Sequence, residues 1–296
     1  MTFALFIQYC LSGIRVGSIY AIVAIGFNII YNATGVINFA QGEFLVLGAM
    51  IAISLNSIMP AYLAIIIAAI ITALVGALIE FSFIKWLKNP NVLRIVIITV
   101  GISIVMRELM SYIFGIDNKA LPYFSGNEAS SIKILGAGIS PQDLWIIGIS
   151  FLLVLGLNFF FKYTLPGRAM RACSANKESS RLCGINAGLM VTLSFAISAF
   201  IGAVAGCVIS PFTQTQYNMG SALAIKGFTV AIVGGLGNSL AAVAGGVVLG
   251  LLESFSVSIF PNAYRDVVTI GILLIVLIVK PSGLFGKSDV SALKEF

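Results

Sequence analysis

Histidine is absent from this 296-residue chain, and its four cysteines (Cys10, Cys173, Cys183, Cys207) stand far apart with no CxxC pair. That removes Ser–His and Cys–His nucleophiles, and leaves neither a zinc-ligand spacing nor a disulfide framework. Charge is scarce too, at 9% of residues against 59% hydrophobic. A soluble core of this length cannot bury so much apolar surface, so the chain reads as an integral membrane protein. There is no GxxxxGK[ST] phosphate loop, so any ATP use falls to another chain. Nor are there paired intramembrane carboxylates of the kind a proton relay uses. The net charge of +6 does not require nucleic acid, because membrane proteins gather Lys and Arg in their cytoplasmic loops. The opening MTFALFIQYCLSG lacks the basic region of a cleaved signal and is read as mature structure.

What is present is a series of apolar runs, each near the ~20 residues that cross a hydrocarbon core. They fall at about 5–31, 36–58, 61–83, 94–115, 143–161, 191–210, a long Gly-rich run at 222–258, and 265–279. No soluble domain fits between them, so residues 1–296 are read as one membrane domain, all-α, with about eight transmembrane helices. The basic residues gather in three places: the turn with Lys85, Lys88 and Arg94, the 162–188 loop, and the tail with Lys280, Lys287 and Lys294. Together these hold eleven of the seventeen Lys and Arg, which puts all three in the cytoplasm. Loop 116–142, where Asp117 and Glu128 offset Lys119 and Lys133, then falls outside, as does the N-terminus.

Crossing parity makes the 222–258 run cross twice or re-enter. Gly234-Gly235-Leu236-Gly237-Asn238-Ser239 supplies the break, since glycines take φ > 0 and Asn-Ser reads as a turn. A broken helix is tolerated in lipid only where protein or a water-filled cavity covers the freed backbone, so Gly234, Gly235, Gly237 and Asn238 are candidate pathway residues. Gly13/Gly17, Gly202/Gly206 and Gly246/Gly250 stand at i, i+4, the spacing of close helix packing.

Three polar residues cluster at the inner end of the second run: Asn38, Gln41 and Glu43. A charge near a helix centre costs about 2.5–3.5 kcal/mol in lipid, so they face protein or water. They either line a pathway or inner gate, or form a helix start with Asn38 as N-cap and Glu43 in the first turns. Lys226, among apolar neighbours, either snorkels to the outer interface or is held inward as counter-charge to Glu253 or a substrate carboxylate. Arg15, Arg107 with Glu108, and Arg265 with Asp266 read as solvated ion pairs near outer helix ends. Glu80 is within reach of Lys85 or Lys88.

The 162–188 loop holds five Lys and Arg (Lys162, Arg168, Arg171, Lys177, Arg181) and one acid. Its segment Glu178-Ser179-Ser180-Arg181-Leu182-Cys183-Gly184 resembles the E-A-A-x-x-x-G core of the coupling loop of ABC importer permeases, with serine for both alanines. GSIYAIVAIGFNIIYNATGVINFAQGEF over 17–44, KGFTVAIVGGLGNSLAAVAGGVVLG over 226–250 and Pro281-Ser282-Gly283-Leu284-Phe285-Gly286 extend the likeness over nearly the whole chain. The family resembled is the LivH-type permease subunit of branched-chain amino acid importers, with Gln41 where relatives often have histidine.

The resemblance implies an inner-membrane permease that is not an enzyme and binds no cofactor. ATP and Mg would sit on two cytoplasmic ATPase subunits, beside a second, LivM-like permease and an external substrate-binding protein. Arg171, Asn176, Glu178, Ser179, Ser180, Arg181 and Gly184 would couple to the ATPase. The residues themselves predict a short helix over 176–184, capped by Asn176 and stopped by Gly184. Other amino acids or small amides such as urea are open as substrates. An ion-coupled secondary transporter, or a channel with a GGLGNS filter, are rivals that leave the basic loop unexplained.

Overall fold

The computed structural model describes residues 3–87, 91–127, 129–134, 136–258, 261, 264–280 and 283–284. Lys88, Glu128, Pro281, Ser282, Phe285, Gly286, Lys287 and Lys294 lie outside them. Eleven α-helices occupy most of the described chain: α1 (Phe3–Thr34), α2 (Gln41–Asn56), α3 (Ala61–Ile79), α4 (Val92–Phe114), α5 (Pro141–Tyr163), α6 (Leu165–Ala175), α7 (Lys177–Leu182), α8 (Ala187–Thr213), α9 (Met219–Gly234), α10 (Ser239–Ser256) and α11 (Arg265–Val279). A π-turn, Glu80–Ile84, extends α3. Among the described residues, five stretches are long and apolar enough to cross a membrane by length and composition: α1, α3 with its π-turn, α5, α8 and α10.

Helix α1 is the axis. From Val16 to Ile30 every residue is buried, because α8, α9 and α10 surround it. The contact with α10 is close because it is made by glycines. A Cβ on Gly17 would stand 2.9 Å from the Val247 Cα, and one on Gly13 2.8 Å from the Leu251 Cα. Gly246 and Gly250 face them in return, so both i, i+4 pairs serve helix packing within the chain.

One end of the bundle is defined by side-chain ties between α1 and the 116–142 segment. Gln8 exchanges two hydrogen bonds with the Gly138 backbone, at 3.0 and 2.9 Å. Gly138 belongs to a two-stranded antiparallel hairpin, β1 (Ile132–Ile134) and β2 (Ala137–Ile139), which the all-α reading did not include. Arg15 pairs with Asp143 at 3.2 Å and lies 4.0 Å over the Phe212 ring; it is partly buried and is not the solvated group expected. Asp143 itself closes a capping box with Ser140 at the start of α5.

At the other end, Asn28 and Asn32 of α1 hold the turn between α9 and α10. Asn28 accepts from the Gly237 N–H at 3.0 Å, and Asn32 donates to the Gly237 carbonyl at 3.0 Å. The Leu284 N–H reaches the Val233 carbonyl at 2.7 Å, so the following chain returns to the same end. The Gly-rich run is therefore two antiparallel helices. Gly235 and Gly237 take φ of +118° and +84°, as the break requires.

A coupling surface and three buried polar groups

Helices α6 and α7 form the loop between α5 and α8. Helix α6 is amphipathic: Gly167, Met170 and Cys173 are buried at i, i+3, i+6, with Arg168 and Arg171 exposed. The Thr164 hydroxyl accepts from the Gly167 N–H at 3.2 Å to start it. In α7 the Asn176 side chain accepts from the Ser179 N–H at 2.9 Å, and Gly184, with φ +80°, ends the segment. Both caps stand where the sequence placed them. Glu178, Ser179, Arg181 and Gly184 are exposed, and Leu182 is 90% exposed. Ser180 differs: it is buried and its hydroxyl donates to the Asn176 carbonyl at 2.8 Å. It braces α7 from within.

The first polar group lies where α1 passes into α2. The chain turns at Gly35 (φ +70°), so α2 begins at Gln41 and not at 36. Asn38 is therefore not the N-cap. Ala40 holds that place with no side-chain bond, and Asn38 Oδ1 accepts from the Ala40 N–H at 3.0 Å. Its Nδ2 is buried without a hydrogen-bond partner among the described residues. Gln41 and Ser198 of α8 bond to each other through the Ser198 hydroxyl and the Gln41 amide oxygen, and the same hydroxyl reaches the Gly26 carbonyl at 2.8 Å. The three helices α1, α2 and α8 are thus tied at one point.

Glu43, fully buried in the first turns of α2, holds the second group. Its Oε1 accepts from Ser103 of α4 at 3.0 Å and from Ser221 of α9 at 3.2 Å. Ser221 in turn accepts from Arg107 Nη1 at 3.3 Å. Arg107 keeps the ion pair with Glu108 that the sequence suggested, Nε to Oε1 at 3.9 Å, and in addition its Nη1 is aimed inward. Gly42 and Gly220 let α2 and α9 approach beside it: a Cβ on Gly220 would stand 2.8 Å from the Gly42 carbonyl oxygen.

The third group is ionic and sits between α1, α9, α10 and α11. Lys226 is not snorkelling: Nζ lies 2.9 Å from Glu253 Oε1 and 2.9 Å from Asp266 Oδ1. The fully buried Glu253 Oε1 also accepts from the Tyr20 hydroxyl at 3.1 Å. Arg265 Nε stands 2.9 Å from the same oxygen, but out of line for a hydrogen bond. Two cations and two carboxylates therefore balance where lipid would reject each alone. Glu80 has its own partner, the hydroxyl of Thr192 on α8, and Lys85 lies 4.3 Å over the Phe81 ring.

Sequence reading missed Tyr20, Ser103, Ser198 and Ser221, whose signal is only that a hydroxyl stands in an apolar run. Asn28 and Asn32 were findable: two amides at i, i+4 on one apolar helix need a common polar partner.

A bundle of apolar helices with buried polar ties, and a short capped helix projecting from one end, defines a polytopic permease subunit. The family described as branched-chain amino acid transport system, permease component, matches residues 9–277, and the chain belongs to it. It is a transport subunit and not an enzyme. The permease BraD of Pseudomonas aeruginosa, of a high-affinity branched-chain amino acid transport system, is 33% identical over 96% of this chain and 97% of its own. The LivH permeases of Salmonella typhimurium and Escherichia coli K12 are 33% and 32% identical over 97% of this chain and 98% of theirs. In fold the chain is similar to PsaBC from Streptococcus pneumoniae in complex with Fab. That match has TM-score 0.52 and 11% identity, covering 95% of this chain and 97% of that one.

Proposed function

We propose that residues 1–296 form one membrane domain that supplies half of the translocation pathway of an ATP-driven importer for branched-chain amino acids. The domain crosses the bacterial inner membrane about eight times, with the N-terminus outside and the C-terminus in the cytoplasm. Its partners are a second, LivM-like permease, two cytoplasmic ATPase subunits that hold ATP and Mg, and an external substrate-binding protein.

The observation that carries this reading is α7. A helix of six residues, capped at both ends and presenting Glu178, Arg181 and Leu182 outward, is too short to be stable alone. It rests on α6, whose buried face is packed against the bundle. Such a lever passes a push from a soluble motor to the membrane helices. Arg171, Asn176, Glu178, Ser179, Arg181 and Gly184 form the coupling surface, with Ser180 as its internal brace. Asn38, Gln41, Glu43, Lys226 and the Gly234, Gly235, Gly237, Asn238 turn form the pathway wall or gate. Their contacts tie α2 to α4, α8 and α9, α9 to α10 and α11, and the α9–α10 turn to α1, the helices that repacking has to move.

Purification from native membranes tests the composition: two Walker-motif proteins and a longer membrane subunit are expected. Leucine uptake by the reconstituted complex should require ATP, and uptake of urea alone would move the substrate class. Transport by this chain alone on an ion gradient would replace the reading with a secondary transporter. A cysteine at Asn238 should react with impermeant reagents from the cytoplasm, or be shielded; reaction from outside only would reverse the crossing count.

A further inference from the structure

Among the exposed apolar faces of the bundle, those of α3, α5 and α11 carry no charged side chain between their end turns. Helix α4 does. Ile97, Gly101, Ile104, Glu108 and Tyr112 recur at i, i+4, i+7, i+11 and i+15, one stripe of the helix, and all five are exposed. The Glu108 side chain is 68% exposed. It stands six residues before the end of α4 at Phe114, about 9 Å inside at 1.5 Å per residue. In the eight-crossing arrangement proposed above, where α4 ends at the membrane surface, a carboxylate on two methylenes is too short to reach the interface from that depth, as a lysine does by snorkelling. A charge so placed faces water or protein.

Beside it, Arg107 is fixed from behind. Its Nη1 donates to Ser221, which donates to the buried Glu43, so the guanidinium is anchored while its Nε stands 3.9 Å from Glu108 Oε1. At that length the pair is loose, and a ligand bearing both charges can open it. An anchored guanidinium next to a freer carboxylate is complementary to an amino-acid zwitterion.

We propose that the Glu108 stripe of α4 faces the aqueous route between the two permeases, and that Arg107 and Glu108 receive the α-carboxylate and α-ammonium of the passing amino acid. This rests on the reading above that the chain carries amino acids. In the complete complex in proteoliposomes, a cysteine at Glu108 should react with a cationic, membrane-impermeant thiosulfonate at least 10-fold faster than one at Ile70, on the exposed face of α3. Leucine with ATP should slow that reaction several-fold. Glu108→Gln should lower leucine uptake about 10-fold, Glu108→Asp should restore much of it, and ATP hydrolysis should persist in both. If Glu108→Cys does not assemble, Ile104→Cys on the same stripe decides accessibility.

Reaction at the slow rate of position 70 overturns the proposal and marks the stripe as lipid- or subunit-covered. Fast reaction with unchanged Glu108→Gln uptake overturns the ligand assignment alone. A wild-type complex that carries no amino acid overturns the functional reading and the ligand assignment together, while labelling still decides where the stripe faces.

Discussion

The α6–α7 loop and the Lys226–Glu253 cluster hold comparable numbers of charges, yet they are built on opposite principles. In the loop, each polar contact that shapes the backbone is local: Thr164 to Gly167, Asn176 to Ser179, Ser180 to Asn176. Arg168, Arg171, Glu178 and Arg181 are exposed on the outside. In the cluster the contacts join residues far apart in the chain, as Tyr20 and Glu253 are, and the charges pair with one another around the fully buried Glu253, with Asp266 at the exposed edge. A loop of the first kind can change partners cheaply, whereas a cluster of the second kind holds helices in one arrangement. The loop is therefore suited to transmit force, and the cluster to define which helices move as a body.

Substitutions can break or sharpen that contrast. The largest effect is expected from Gly17→Leu, because the added side chain meets the α10 backbone, which cannot retreat. Loss of a monodisperse, folded protein in detergent is the expected outcome, and a stable variant would show that α1 and α10 can separate. Next is Glu253→Gln, which leaves Lys226 and Arg265 without their buried counter-charge and should cost about 3–5 kcal/mol. Thermal unfolding in detergent measures it; a shift no larger than that of a surface substitution would mean the cluster is hydrated.

In the loop the expectation reverses. Glu178→Lys leaves folding intact, since the side chain is exposed, but should reduce ATP-dependent uptake by about 10-fold or more. Gly184→Pro should do the same, because proline's φ near −65° cannot replace +80°. Unchanged uptake by either correctly inserted variant removes the coupling role. If Glu178→Lys lowers stability as much as Glu253→Gln, the contrast itself is wrong. The smallest effect is that of Asn176→Ala, which removes one cap and should cost about 1 kcal/mol. It is seen as faster proteolysis within 176–184, with global unfolding unmoved.

Legibility in the sequence followed the same division. Apolar runs marked α11 at 265–279 and placed α4 and α5 within a few residues of their ends, since lipid thickness sets a helix length that composition displays. The start of α2 was read five residues early, because Val36 to Ala40 continue the apolar pattern while Gly35 turns the backbone out of the helix. The β1–β2 hairpin was not legible: three-residue strands are too short for an alternating pattern, and Gln8 of α1 helps to hold it. Arg15 and Arg265 were read as parts of solvated ion pairs from their positions along their helices, and the inward bond of Arg107 to Ser221 was not read at all. Which side of a helix meets Asp143, Ser221 or Glu253 is not written in a local window.

The sequence by itself determined the solvent of this protein, the apolar stretches that become helices, the break at Gly235, and the caps of α7. Each depends on residues within a turn or two of one another, where geometry is nearly independent of the rest of the chain. Only the tertiary structure decided that Lys226 is paired and not snorkelling, that Glu43 is bound by α4 and α9, and that α1 is the axis. Those outcomes depend on which helices can approach closely, and close approach is permitted by glycines more than two hundred residues apart, such as Gly17 and Gly246.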